Sequence, residues 1–206
     1  MTKFERLDQL RRGATVTRYH THRVLRPQSV GEHSHGVALI ALELWRETFW
    51  RKTYASELPP AWLLLAALEH DLAEGQVGDM PSPAKRRHPA LHAALTNAEL
   101  AESERLELGA HEHLGPEASD ILRMADQLEF LCYALDERRL GNTDMGRVFA
   151  RGALGIRKRL DALDHRPFQP AAMRLLEEIV DAMRREFRDE YITHVIALAG
   201  AEEDGH

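Results

Sequence analysis

Apolar residues along this chain return at intervals of three and four, and alternating β-branched runs are nearly absent. That is the signature of helices packed on one another. A first short helix is predicted from about Lys3 to Arg12, stopping at Gly13. Residues 14–28 read as an extended loop, with some strand character at Thr15-Val16-Thr17 but no evident partner strand. Ser29-Val30-Gly31-Glu32 has the spacing of a capping box, so a helix starts there and carries Val37, Ile40, Ala41 and Leu44 to about Arg51. A third helix follows Pro59-Pro60, presents Trp62, Leu65, Ala66 and Leu68, and is expected to run to about Glu74. Gly75 to Pro83 reads as a loop, and about Ala84 to His113 as helix, with Pro89 as a point of interruption. A strongly apolar helix is predicted from about Glu117 to Leu140, then one capped by Thr143 to about Leu163, and a last from near Pro170 to about Leu198. Roughly seven helices with short connections make an all-α helical bundle. No repeat or linker divides it, so residues 1–206 are expected to form a single domain.

Composition narrows the class without naming a function. With 206 residues, 44% hydrophobic and 29% charged, the chain has the balance of a soluble globule large enough for its own core. The longest apolar run, Ala61 to Leu68, is far too short to span a bilayer, and Met1 to Leu10 lacks a signal-peptide core. Cys132 is the single cysteine, which excludes an internal disulfide and fits a reducing cytoplasm. A net charge of -6 argues against a nucleic-acid polymer as partner. The charge is uneven, however. Gln9 to Gly31 contains no acid but holds Arg11, Arg12, Arg18, Arg23 and Arg26, and Lys85-Arg86-Arg87-His88 forms a second basic cluster. Two local basic patches on an acidic protein suit a small anionic ligand.

Chemistry concentrates at a few positions. His70, Asp71 and Glu74 fall at i, i+1 and i+4, which in a continuous helix places Glu74 on the face of the other two. They follow two nearly apolar turns, where ionisable groups are costly unless paired. A metal held by His70 and Asp71, with Glu74 acting on a bound water, would pair them, and so would a polar helix end with Glu74 in a salt bridge. Asp126 sits within a helix that is apolar on most of its circumference, so it either lies on an exposed face or coordinates a cation. Neighbouring Arg123, Gln127 and Glu129 read as the polar faces of that helix. His33 lies in the first turn of the capped helix, as a solvated residue or as a ligand on a rigid element. His33, His70, Asp71 and Asp126 together would offer two nitrogens and two oxygens, a set that suits Mn, Co, Fe or Zn.

In order and spacing, Arg18-Tyr19, Ser29-Val30-Gly31-Glu32-His33-Ser34, His70-Asp71-Leu72-Ala73-Glu74, Gly78-Asp79-Met80-Pro81-Ser82-Pro83 and Ala125-Asp126 resemble the motifs of HD-domain phosphohydrolases. The similarity is greatest to the 5′-deoxynucleotidase branch and covers roughly residues 5 to 165. It implies an all-helical fold, one divalent metal, a deoxynucleotide substrate and usually a homodimer. It also implies roles: His33, His70, Asp71 and Asp126 as metal ligands, Glu74 to orient or deprotonate water, and Arg18 to bind the phosphate. Asp79 would position the phosphate or protonate the leaving oxygen. The aromatic after the arginine, usually tryptophan in this branch, is Tyr19 here and can stack on a base or sugar.

Other readings remain open at this level. Viral members of the branch that strip triphosphate from dATP are similar too, and Lys85 and Arg86 would then hold outer phosphates. A two-metal phosphodiesterase would recruit His92, His111 or His113, although His111-Glu112-His113 reads as exposed. A nucleotide sensor without turnover would need no working Glu74. A scaffold would use the mixed charges Glu177, Glu178, Arg184, Arg185 and Glu186 of the last helix, which read more simply as a solvated face or dimer rim.

Overall fold

The computed structural model describes residues 1–19, 22–50, 60–78, 80, 82–163 and 166–187, and among these the side chains at 50, 60, 82, 83 and 86 are not described. The helices in chain order are α1 (Lys3–Gly13), α2 (Val30–Trp45, continuing as a π turn over Arg46–Trp50), α3 (Pro60–Glu69), α4 (Glu74–Val77) and α5 (Ser82–Arg87). They are followed by α6 (Pro89–Arg105), a 3-10 turn (Ala110–His113), α7 (Pro116–Arg139), α8 (Met145–Ala162) and α9 (Gln169–Glu186). The all-α class is as expected, and seven of these helices have ten or more residues. No described helix is long and apolar enough to cross a membrane.

The start of α2 forms as its sequence dictates. Ser29 Oγ accepts the Glu32 N–H at 3.1 Å, and Glu32 Oε2 accepts the Ser29 N–H at 2.8 Å. Thr2 and Glu5 build a second such box on α1, which the sequence reading did not pick out. The strand character at Thr15-Val16-Thr17 has a partner after all, in a single antiparallel bridge between Thr17 and Ser29. The expected helix over 84–113 is divided into α5, α6 and the 3-10 turn, because Pro89 lacks the N–H to continue α5 and instead opens α6. Asp144 rather than Thr143 is the N-cap of α8, and its side chain makes no capping bond. The predicted end of the last helix, at Leu198, lies outside the described residues.

The core gathers along α7, which packs against α2, α3, α8 and α9. Leu128, Leu131, Leu44, Leu63, Phe149 and Phe168 are among its fully buried side chains. Burial of each such side chain stabilises by about 1.5–3 kcal/mol. The consequence for function is placement, since α2, α3 and α7 hold three segments of chain side by side.

One close approach then shapes the end of α3. A Cβ on Gly75 would lie 2.5 Å from Gly13 Cα, and a Cβ on Gly13 would lie 2.7 Å from the Leu72 carbonyl oxygen. The last residue of α1 therefore sits directly on the segment after α3, a contact that only glycine permits. That segment, 70–73, is a tight turn: Leu72, Glu74 and Gly75 N–H groups bond three residues back, to Glu69, Asp71 and Leu72. So α3 ends at Glu69 and does not continue to Glu74, which corrects the expected boundary.

Candidate metal centre and phosphate-binding arm

His33 projects from the capped first turn of α2 and is completely buried. Its Nδ1 is hydrogen-bonded to Glu129 Oε2. A carboxylate only accepts, so Nδ1 carries a hydrogen, and Nε2 is the nitrogen left to face the cluster. His70, in the turn after α3, is fixed the same way, with Nδ1 donating to the Ala67 carbonyl at 2.7 Å. The two Nε2 atoms then face one another at 3.3 Å. Two ring nitrogens at that distance are held together by a proton or a cation between them.

Carboxylates complete the cluster. Asp71 Oδ2 lies 3.3 Å from His70 Nε2 and 3.6 Å from His33 Nε2, and the ligand atoms of these three residues all fall within 4.8 Å of one another. Asp126, from α7, joins through His33, with Oδ1 at 3.0 Å from Nε2. Its side chain is 42% exposed, so Asp126 lies at the open edge of the cluster while His33 forms its floor. Two inward-facing imidazole nitrogens beside two carboxylates are the donor set of a divalent transition ion once the nitrogens give up any proton, and the residues fit one. Burial lowers the His33 pKa, but Asp126 and Glu129 more than offset it and push it up to about 9. Metal uptake therefore competes with a proton at this site. Burial raises the Asp126 pKa, but His33, His70 and Arg18 together more than offset it and hold its carboxyl below the ordinary range.

Arg18 comes from the loop before α2, and its Nη1 pairs with Asp71 Oδ2. Burial works against the guanidinium charge, and Asp71, Tyr19 and Asp126 overcome it, so its pKa is raised. Its Nε is buried without a hydrogen-bond partner, a donor held ready in a mostly buried, positively charged arm. The loop is closed by the Arg18 N–H donating to the Gln28 carbonyl at 2.8 Å. It is also clasped from α7. Glu137, fully buried, accepts the N–H groups of Leu25 and Arg26 at 2.6 and 2.7 Å and the Asn142 amide at 2.8 Å. Tyr133 Oη donates to the Arg26 carbonyl at 2.9 Å.

Tyr19 has a left-handed backbone, φ 57°, and its ring stacks on Tyr133 with centroids 5.0 Å apart and planes at 12°. Phe130 lies 5.8 Å away. One face of the Tyr19 ring is thus occupied by the protein. Glu74 opens α4 and is buried, at 8% exposure; because 70–73 is a turn, it does not share one helical face with His70 and Asp71 as the i, i+4 spacing suggested. Asp79 lies outside the described residues, and so does the side chain of Arg86. Lys85 Nζ is 3.7 Å from Glu99 Oε1 on α6. His92, His111 and His113 are exposed, and His113 packs on the Trp62 ring at 4.2 Å.

Glu129 overturns its sequence reading as a polar face: it is only 6% exposed and holds His33 on one oxygen and Gln28 Nε2, at 2.7 Å, on the other. Its position three residues after Asp126, hence on the same side of α7, was the available signal. Glu137 and Gln28 offered no signal, because each is tied to a segment about a hundred residues away, Glu137 to the Leu25 and Arg26 N–H groups and Gln28 to the Glu129 carboxylate.

The family model for YfbR-like 5′-deoxynucleotidases matches residues 5–183. The chain belongs to that family. It is an HD-type phosphohydrolase of deoxynucleotides. Over 163 residues it is 26% identical to the 5′-deoxynucleotidase of Vibrio cholerae, covering 73% of this chain and 83% of that protein. A 97-residue stretch is 31% identical to the 5′-deoxynucleotidase of Vibrio parahaemolyticus, covering 47% and 49%. Among solved structures, an HD-domain phosphohydrolase from Listeria innocua matches with a TM-score of 0.73 at 18% identity, covering 98% of this chain and all of that one. The HD phosphohydrolase of cyanophage S-2L, bound to dA and one catalytic Zn2+, matches with a TM-score of 0.65 at 21% identity, covering 86% and 95%. At those identities the structural likeness speaks for the fold.

Proposed function

We propose that this phosphohydrolase is a metal-dependent 5′-deoxynucleotidase, converting a deoxynucleoside 5′-monophosphate and water to the deoxynucleoside and phosphate. The observation that carries the reading is the pair of Nε2 atoms at 3.3 Å beside Asp71, with the buried, partnerless Nε of Arg18 close by. His33, His70, Asp71 and Asp126 would hold one divalent ion, Co, Mn, Zn or Fe. When bound, that ion supplies Lewis-acid activation of water and of a phosphoryl oxygen.

The chain's own residues supply the remainder. Arg18 turns from Asp71 toward the phosphate and neutralises charge on its oxygens as the transition state forms. Glu74, buried next to the ligand turn, takes the proton from the attacking water. As the water oxygen bonds to phosphorus, the bond to the 5′ oxygen breaks, and Asp79 delivers a proton to that oxygen. Tyr19, braced against Tyr133, offers its other face or its edge to the sugar or base. The enzyme would work in the cytoplasm, as one HD domain over residues 1–206 and as a homodimer.

The triphosphohydrolase reading has less support, since Lys85 is turned to Glu99 and not left as a free cation for outer phosphates. Product analysis separates the two. With added Mn2+ or Co2+, dAMP is expected to release phosphate, and a chelator to stop it. Release of intact triphosphate from dATP, with dAMP untouched, would overturn the monophosphatase assignment.

A further inference from the structure

We infer that Glu129 is a positioning residue that joins the metal ligands to the phosphate-binding arm. The inference rests on the metal-centre reading above and deepens it. From Glu129 Oε2 a hydrogen bond leads to His33 Nδ1, and from Oε1 another leads to Gln28 Nε2. Gln28 continues through its carbonyl to the Arg18 N–H at 2.8 Å. Arg18 pairs with Asp71, and Asp71 lies 3.6 Å from His33 Nε2, closing the circuit. One carboxylate thus sets the tautomer of a ligand histidine and tethers the segment that carries the arginine.

The fold makes room for this group. Gly36 lies one turn after His33 on α2, and a Cβ there would stand 2.7 Å from Glu129 Cγ and 3.1 Å from Oε1. The missing side chain is the space the carboxylate fills. Charge is less the point than hydrogen-bond polarity. If Glu129 became Gln, its oxygen would still accept from Gln28, and its NH2 would face His33 Nδ1. With Gln28 keeping its amide nitrogen toward this group, His33 Nδ1 becomes the acceptor, which moves the ring hydrogen to Nε2, where the ligand lone pair is needed.

The test uses the full chain. Chelator-stripped wild type, Glu129→Gln, Gln28→Ala and Gly36→Ala are titrated calorimetrically with Mn2+. KM for dAMP is then measured at saturating Mn2+, and the urea midpoint of each variant is recorded. Glu129→Gln is expected to weaken Mn2+ binding about 10- to 100-fold and, even when saturated, to raise KM for dAMP. Gln28→Ala should raise KM while leaving Mn2+ affinity near wild type. A carboxylate with a merely structural role would lower the urea midpoint and leave Mn2+ affinity unchanged; that result overturns the inference. So does weakened Mn2+ binding with KM unchanged at saturation, because the tie to Arg18 would then be absent. Should Glu129→Gln fail to fold, Gly36→Ala displaces the carboxylate without removing it and must give the same paired effect. Wild type that binds no Mn2+ would sink the metal-centre reading, and this inference with it; wild type that binds and turns over while Glu129→Gln matches it sinks the inference alone.

Discussion

Two glutamates eight residues apart on α7 are both buried, and they serve different ends. Glu137 is surrounded by neutral donors: two backbone N–H groups of the loop and the Asn142 amide. Glu129 faces an ionisable ring, His33, and a glutamine amide. The first is saturated by architecture and holds the 22–28 loop to the bundle. The second hands its effect on to a residue whose other nitrogen faces His70 and Asp71 in the candidate metal centre. A buried carboxylate is thus no evidence of catalysis by itself. Its partners decide, and whether those partners have a second, unspent functional group.

The sharpest way to break that contrast is to remove Glu137. Glu137→Ala removes the acceptor of one buried and two part-buried donors, each bond contributing about 0.5–1.5 kcal/mol, so stability should fall by about 3 kcal/mol. Thermal unfolding should then move down by roughly 10 °C for a chain of this size. Next in size, Glu129→Gln should cut kcat/KM for dAMP at limiting metal by about 10- to 100-fold, whereas Glu137→Gln at 10 °C should keep most of the wild-type rate. Equal losses of activity in the two would erase the distinction.

A pH series sharpens it further. Burial raises the Glu137 pKa, but its hydrogen bonds from Asn142, Leu25 and Arg26 more than offset this and hold it below the ordinary carboxylate range. A lowered folded-state pKa means the stabilisation is fully present above the unfolded value, near about 4.3, and is lost as pH falls through the folded value. The stability gap between wild type and Glu137→Gln, followed by urea unfolding, should therefore be constant at neutral pH and shrink in acid. A gap that widens in acid would contradict the assignment. The smallest effect is expected at Lys85: with its ammonium turned to Glu99, Lys85→Ala should leave kcat and KM for dAMP near their wild-type values.

Legibility from sequence followed the same division. Residues whose placement depends on helical spacing were readable: the Ser29–Glu32 box, His33 one turn inside it, and Asp126 on an apolar helix. Even Glu129 was within reach, at three residues from Asp126. What sequence could not supply depended on contact between distant segments. The break after Glu69 is set by Gly13 pressed against Leu72 and Gly75, not by any residue within α3. The Arg18 arm is held by Glu137, more than a hundred residues further along, and no periodicity records such a bond. The stacking of Tyr19 on Tyr133 is hidden for the same reason.

Metal dependence is decided by a Co2+ titration of chelator-stripped protein, following bound metal and phosphate release from dAMP in the same samples. Activity is expected to rise in step with one bound equivalent, and His70→Ala to abolish tight binding and activity together. Undiminished phosphate release from the stripped protein, or tight Co2+ binding that survives His70→Ala, would contradict it.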